Sequence, residues 1–412
     1  MRTTNRRSNT NSGPRARLAR FHPYPAMVDE DLAAQLARTH VRKGHSILDP
    51  FCGSGRLLAA AEAMSADRIV GIDINPLAVL LTRARLANPN VSVLRRLLAE
   101  IETDTCYRKR IAASSEVKTV QWFNEQSMEE LSQIVAWLNM KQLTQPDLLV
   151  LGAILSATTR DASFARKSGW KLHRMSEASR STFAASAWAH FARRLEYFIS
   201  QSDTKPYNSK NTSIRIGDAR RLRVDEGGRK FDVILTSPPY GDSKTTVQYG
   251  AASKLCLTFV PLVKGLETFS CSSSVDSQCL GGRLSREIRH LSRQYWAGSA
   301  EGTTAKKVES FLADYAIACR GIASSLKASG TAVLIVGQRS TGGFRVKLDQ
   351  FTIDQFASLG FELTRYDVRK LTRKRHPSHV NRFARSSCTS KRDSGLIRTM
   401  SEEFILTFSR SG

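Results

Sequence analysis

"HSILDPFCGSGRLLAAAEAMSADRIVGIDINPLAVLLTRARLA", residues 45–87, alternates two patterns within a short span. "HSILDPF" and "RIVGID" are apolar runs of strand length, and each is followed by a longer run of good helix formers, "GRLLAAAEAMS" and "PLAVLLTRARLA". Strand–helix alternation of this kind predicts a parallel sheet with helices on both faces. The rhythm returns late in the chain. "IRIGDAR" (214–220) and "FDVILTS" (231–237) read as strands, "VESFLADYAIACRGIASSL" (308–326) as a helix and "GTAVLIVG" (330–337) as a strand. "TIDQFASLG" (352–360) then reads as a helix and "EEFILTFS" (402–409) as a last strand. The expected fold class is α/β, a doubly wound and mainly parallel sheet with a helical insertion.

That insertion is expected over 100–205. Ser127 and Glu130 have the form of a capping box, followed by Leu131, Ile134, Val135 and Leu138 at helical spacing. Phe183, Ala187, Trp188, Phe191, Leu195 and Phe198 make a second apolar stripe, read as core. The Ser-, Gly- and Arg-rich stretch 265–305 is expected to be a long loop or poorly ordered insertion. Residues 1–20 carry six arginines and no apolar stretch, the composition of a basic disordered tail. The sheet therefore divides into 21–99 and 206–412, on either side of the helical segment.

The chain has 412 residues and a formal net charge of +25, with 41% hydrophobic residues, enough for a substantial core. So basic a chain points to a polyanionic partner, nucleic acid first. The charge is clustered: Arg365, Arg369, Lys370, Arg373, Lys374, Arg375, Arg382, Arg385, Lys391, Arg392 and Arg398 share one segment with two acids, Asp367 and Asp393. No run of about 18 apolar residues occurs, so no membrane helix is expected. The seven cysteines show no C-x-x-C and no ligand-spaced histidines, as expected for reduced cytoplasmic thiols and no metal site.

Three strand ends carry candidate ligand groups. After "ILD", Gly53 and Gly55 allow a tight turn close to a ligand at a helix start. Position 58 is Leu and Gly55 is followed by Arg56–Leu57, so neither the dinucleotide nor the Walker phosphate pattern is complete. Asp49 would repel a pyrophosphate and suits a cationic or zwitterionic ligand. Asp73 ends the second strand, where a carboxylate can accept both hydroxyls of a ribose. Asp218, after "IRIG", is suited to an adenine amino group. "TSPPY" (236–240) ends a core strand in two prolines, which cannot donate to a ladder and so fix a stiff turn.

This combination resembles the S-adenosylmethionine-dependent amino-methyltransferases of DNA. "DPFCGSG" looks like their first motif, "FHPYP" (21–25) their methionine-side motif, "GDAR" their adenine-edge motif and "TSPPY" their catalytic motif. The resemblance implies a Rossmann-like methyltransferase sheet and S-adenosyl-L-methionine as cofactor, with His22, Tyr24, Asp49, Phe51, Gly53, Gly55, Asp73 and Asp218 as cofactor-side residues. It implies Ser237, Pro238, Pro239 and Tyr240 as the catalytic set. Ser237 and the Pro238 carbonyl would accept from the target amine, and Tyr240 would stack on a base flipped out of the duplex. A serine before Pro-Pro favours cytosine N4 over adenine N6. The longer run "SPPYGDSKTTVQYG" (237–250) and the helical insert look like bacterial modification methylases. They imply double-stranded DNA as substrate, a cognate restriction endonuclease as partner, and target recognition by the insert and the basic segment. An RNA guanine-N2 methyltransferase and a nucleic-acid-binding protein with an inactive fold are the rival readings.

Overall fold

The computed structural model describes residues 22–25, 27–103, 121–166, 172–201, 211–222, 229–240, 249–280, 293–295, 303–337, 339–341, 344–371, 379–381, 396–398 and 402–411. Several expectations lie outside these residues: the basic tail, Phe21, the 241–248 part of the longer proline-turn run, and much of 265–305. So do Arg373, Lys374, Arg375, Arg382, Arg385, Lys391 and Arg392.

Seven strands form the main sheet: β1 (Ser46–Asp49), β2 (Arg68–Asp73), β3 (Asn211–Ile216), β4 (Phe231–Thr236), β5 (Leu326–Gly337), β6 (Phe361–Lys370) and β7 (Glu402–Arg410). Their spatial order is β3-β2-β1-β4-β5-β7-β6. Strands β1 to β5 pair in parallel, and β7 runs antiparallel to both of its neighbours. The order reverses between β1 and β4. At that point the connections leave in opposite directions, and a crevice opens at the carboxyl ends of the strands.

All four residues of β1 are buried, as is most of β4. Alternate residues divide between the two faces. Ile47, Ile69, Val233, Leu235, Val333 and Ile335 join one apolar cluster, and Leu48, Val70, Ile234, Ala332, Leu334 and Val336 join the other. Both faces are covered, so these strands read as continuous apolar runs.

On the first face lie α1 (Glu30–His40), α2 (Arg56–Ala63), α3 (Pro76–Leu86) and α4 (Val91–Thr103). The same cluster contains α5 (Glu125–Asn139), α6 (Gln145–Asp161) and α7 (Ala187–Ser200). The 100–205 segment is therefore helical where described, and its apolar side is continuous with the sheet core. Trp137 and Phe191 meet edge-to-face within it, fully buried. After α8 (Tyr249–Cys256), α9 (Thr303–Ser325) and α10 (Leu348–Ser358) cover the second face with Phe311, Tyr315, Phe351 and Phe356.

Two local readings are corrected, and one strand went unread. The cap of α5 is Asn124, whose side chain accepts from the Ser127 amide at 2.8 Å; Ser127 lies inside the helix, buried. Glu130 instead accepts from Ser186 Oγ and the Trp188 amide, so it caps the start of α7. Within 265–280 the chain is anchored, since Leu266 and Phe269 are buried in the first-face core. Arg365, Arg369 and Lys370 belong to β6. This edge strand is exposed along most of its length, so it lacks the apolar alternation that would have marked it.

Gly55 caps α2 at φ +76°, a left-handed conformation that glycine adopts without a steric cost. A Cβ there would stand 2.8 Å from Thr82 Cγ2 and Oγ1. Thr82 cannot yield freely, because its hydroxyl donates to the Gly53 carbonyl at 2.9 Å. Gly55→Ala is expected to lower stability by about 1–3 kcal/mol through overpacking, a loss measurable by urea unfolding. Unchanged stability would mean that the loop relaxes around the methyl group.

Candidate active site

One cavity at the carboxyl edge of the sheet draws together segments far apart in sequence. Its walls come from Tyr24, the loop Asp49–Ser54, Asp73–Asn75, Gly217–Arg220, Ser237–Tyr240 and the α9 residues Phe311, Asp314 and Tyr315. Four of these segments follow β1, β2, β3 and β4 directly, so the parallel sheet aims four chain reversals at one place.

The loop after β1 is built around two carboxylates. Asp49, 1% exposed, accepts from Thr236 Oγ1 at 2.6 Å and from the Phe51 amide at 3.1 Å. Burial pushes its pKa up to about 7, against the pull of these two hydrogen bonds. Asp73 accepts from the Gly53 amide and the Asn75 amide, both at 2.9 Å. Burial raises it to about 6, again opposed by its backbone donors. Gly53 sits at φ +50°, and the nearest atom to a Cβ built there is Tyr24 Cε1 at 3.7 Å. Its backbone is therefore open to the cavity.

Asn75 caps α3 and also reaches back, donating through Nδ2 to Ser253 Oγ at 2.8 Å and Tyr24 Oη at 3.3 Å. The buried Tyr24 is thus fixed to the end of β2. Asp218 is tied to Arg220, whose Nη1 also donates to Asp314 on α9 at 2.8 Å. The hydrogen bonds from Arg220 outweigh the cost of burial and hold the Asp218 carboxyl below its ordinary value.

The proline turn presents Ser237 and Tyr240 side by side, their hydroxyl oxygens 3.0 Å apart. Tyr240 Oη also donates to Glu403 Oε1 on β7 at 3.3 Å. Burial, and next the Glu403 charge, push the phenol well above its ordinary range. Arg369 on β6 donates to Glu403 Oε2 at 3.2 Å and pairs with Asp29 at 3.4 Å.

Of the residues singled out by sequence, Tyr24, Asp49, Phe51, Gly53, Asp73, Asp218, Ser237, Pro238, Pro239 and Tyr240 share the cavity. Gly55 stands behind it as the helix cap. His22 points elsewhere: it is buried, its Nδ1 donates to the Pro23 carbonyl at 2.7 Å, and Nε2 has no partner among the described residues. Burial, helped by Arg194, holds its pKa down at about 3, so it stands there as a neutral packing residue. Thr236, Asn75, Arg220, Asp314 and Glu403 were not anticipated. Thr236 and Arg220 stand within the quoted runs "TSPPY" and "GDAR", beside the residues that were singled out. Among the described residues no cluster of three or more His, Cys, Asp or Glu could hold a metal, and no helix is long and apolar enough to cross a membrane.

Asp49 supplies a test. Unfolded, its carboxyl titrates near 3.8; folded, near 7. Between these values the folded state binds the proton more tightly, so the contribution of Asp49 to stability falls as pH rises. Asparagine does not titrate. The stability of Asp49→Asn relative to the unaltered protein should therefore improve from pH 4 to 7 and level off above. Urea unfolding across that range reads it, and a pH-independent difference would place Asp49 in a wetter site.

Residues 2–83 match the N6_N4_Mtase family model, described as DNA methylase. The chain is 28% identical over 293 residues to the Type II methyltransferase M.MvaI of Kocuria varians, covering 65% of this chain and 63% of that protein. It is 31% identical over 85 residues to the Type II methyltransferase M.MjaII of Methanocaldococcus jannaschii, covering 21% and 16%. The chain thus spans less than two thirds of the length of either relative. Among solved structures it is similar to the rRNA methyltransferase aviRa from Streptomyces viridochromogenes, with 15% identity, 82% and 88% coverage and a TM-score of 0.33.

Proposed function

We propose that this protein is an S-adenosylmethionine-dependent DNA methyltransferase that modifies the exocyclic N4 amine of cytosine in double-stranded DNA. The observation carrying this reading is the single cavity that unites the glycine loop, the acid after β2 and the Ser-Pro-Pro-Tyr turn. The match to the DNA methylase family model, beside the similarity to two Type II methyltransferases, supports the substrate class.

The residues fit the cofactor. Two buried carboxylates with raised pKa values are costly alone and are relieved by a positively charged ligand. The open backbone at Gly53 allows close approach, and each Asp73 oxygen keeps acceptor capacity for a ribose hydroxyl beside its backbone donor. S-adenosylmethionine would supply an electrophilic methyl group on a cationic sulfur. Tyr24, Asp49, Gly53, Asp73 and Asp218 would hold it.

The protein's own work is to prepare the amine. A nucleobase amine is a poor nucleophile because its lone pair is delocalised into the ring. Two acceptors at its hydrogens, Ser237 Oγ and the Pro238 carbonyl, would draw the nitrogen toward tetrahedral geometry and aim the lone pair. Tyr240 would stack on the base, a contact worth about 1–3 kcal/mol. Because the site receives one base, that base must leave the duplex, and sequence recognition must come from elsewhere. The exposed surface of the helical segment and the basic segment after β6 are the proposed DNA contacts, with modification in a restriction system as the biological setting.

Enzymatic digestion of treated DNA and mass spectrometry of the nucleosides should show N4-methylcytosine. A dominant N6-methyladenine peak would move the target to adenine, and label found only in RNA would remove the DNA reading. Ser237→Ala should slow single-turnover transfer while leaving DNA affinity nearly unchanged, as expected for a contact that strengthens in the transition state. Equal losses in both would make Ser237 a binding residue.

Asp73→Ala should weaken S-adenosylmethionine about ten- to a hundredfold by calorimetry, the equivalent of roughly 1.5–3 kcal/mol for hydrogen bonds to a charged acceptor. Unaltered affinity in the folded variant would take Asp73 out of the cofactor site.

A further inference from the structure

The hydroxyl chain on the cavity wall has a direction. Burial raises the Glu403 pKa and the paired Arg369 opposes that shift. As a carboxylate Glu403 can only accept, and it takes hydrogen bonds from Tyr240 at Oε1 and from Arg369 at Oε2. A phenol has one proton. Committed to Glu403, it is not available to Ser237, so in the 3.0 Å contact between the two hydroxyls Ser237 must donate and Tyr240 accept. The serine proton is then engaged by the Tyr240 oxygen. Both lone pairs of Ser237 Oγ are left without a donor among the described residues, on a side chain that lines the cavity wall.

We propose that Glu403 is a positioning residue for methyl transfer: acting through Tyr240, it fixes the Ser237 hydroxyl as an acceptor toward the target amine. This rests on the function proposed above and adds a residue to it. A serine hydroxyl left to itself can donate or accept, and donating toward an amine whose lone pair is needed for attack would oppose the reaction. Arg369 secures the arrangement, holding the carboxylate between β6 and the proline turn.

The isosteric variant Glu403→Gln is the sharp test, because it should reverse the chain. Arg369 has only donors, so the glutamine carbonyl would face it and the amide NH₂ would face Tyr240. The phenol would then accept from Gln and donate to Ser237, occupying one serine lone pair and turning the serine proton outward. Glu403→Ala removes the bias without reversing it. Single-turnover transfer should therefore fall about tenfold or more in Glu403→Gln and less in Glu403→Ala, the opposite order to that expected if the residue only filled space or carried charge. In a Tyr240→Phe background the chain is absent, and Glu403→Gln should change the rate less than twofold.

A readout independent of transfer is the ¹³Cζ chemical shift of Tyr240 in labelled protein, which responds to whether the phenol donates or accepts at Glu403. It should move in Glu403→Gln, while S-adenosylmethionine affinity by calorimetry stays within about twofold. If glutamine is tolerated better than alanine, if it slows the Tyr240→Phe protein as much as the parent, or if the Tyr240 shift is unmoved, the inference is wrong. A parent protein that transfers no methyl group to DNA would instead overturn the function proposed above, and the chemical shift would still decide the direction of the chain.

Discussion

The hydrogen bond from Thr236 to Asp49 holds the two halves of the site in register. It joins the last residue of β4 to the last residue of β1 across the crevice where the strand order reverses, and both partners are 1% exposed. A neutral donor meets a carboxylate whose ionisation burial makes costly, and the contact strengthens when the acid is charged, opposing that cost. On one side of it the chain turns into the glycine loop, and on the other into the prolines. Each turn alone is a common local structure. Their fixed separation makes one cavity with the glycine loop on one wall and the proline turn on another.

A second set of contacts supports this join from outside. Asp73 binds the Gly53 amide, Asn75 reaches Tyr24, and Arg220 bridges Asp218 to Asp314 on the opposite helix layer. The walls are thus held by polar groups lying one step behind the surface, as a preorganised site requires. The acids at strand ends are therefore part of the framework before any ligand arrives. Asp49 and Asp73 keep spare acceptor capacity and are poorly compensated by charge, whereas Asp218 is paired with Arg220.

The strands around the crevice were legible because burial on both faces leaves little choice of residue: β1, β2 and β4 are centred on short apolar runs, with Asp232 the one charged residue inside β4. The glycine loop was legible for a similar reason, since Gly53 and Gly55 take left-handed conformations that few other residues tolerate. Strand β6 was not, because an exposed edge imposes no apolar period and its charges resemble a solvated segment. Glu403 was out of reach because 163 residues separate it from Tyr240, and only the pairing of β7 between β5 and β6 brings it back. His22 is the reverse case, a residue singled out by its motif that does not line the cavity. Its motif placed it beside Tyr24 in sequence, yet two residues further back the chain faces the helical layer and the imidazole is spent on packing. The cap of α5 was misplaced by three residues because Asn124 and Ser127 are both competent caps, and burial of Ser127 decides between them.

The reversed strand has a consequence for how the molecule is made. Strand β7 is synthesised after β6, yet it lies between β6 and β5 and is the strand that links β6 to the sheet. During translation β6 therefore emerges with no place in the sheet and must wait, its backbone groups solvated, until residues 402–410 leave the ribosome. The half of the crevice formed by β1 and β2 and their loops is encoded long before that. A nascent chain can thus assemble one wall early, while the carboxylate behind the proline turn arrives with the last strand of the sheet. Strand order acts here as a timer that separates the appearance of a pocket from the appearance of a finished site.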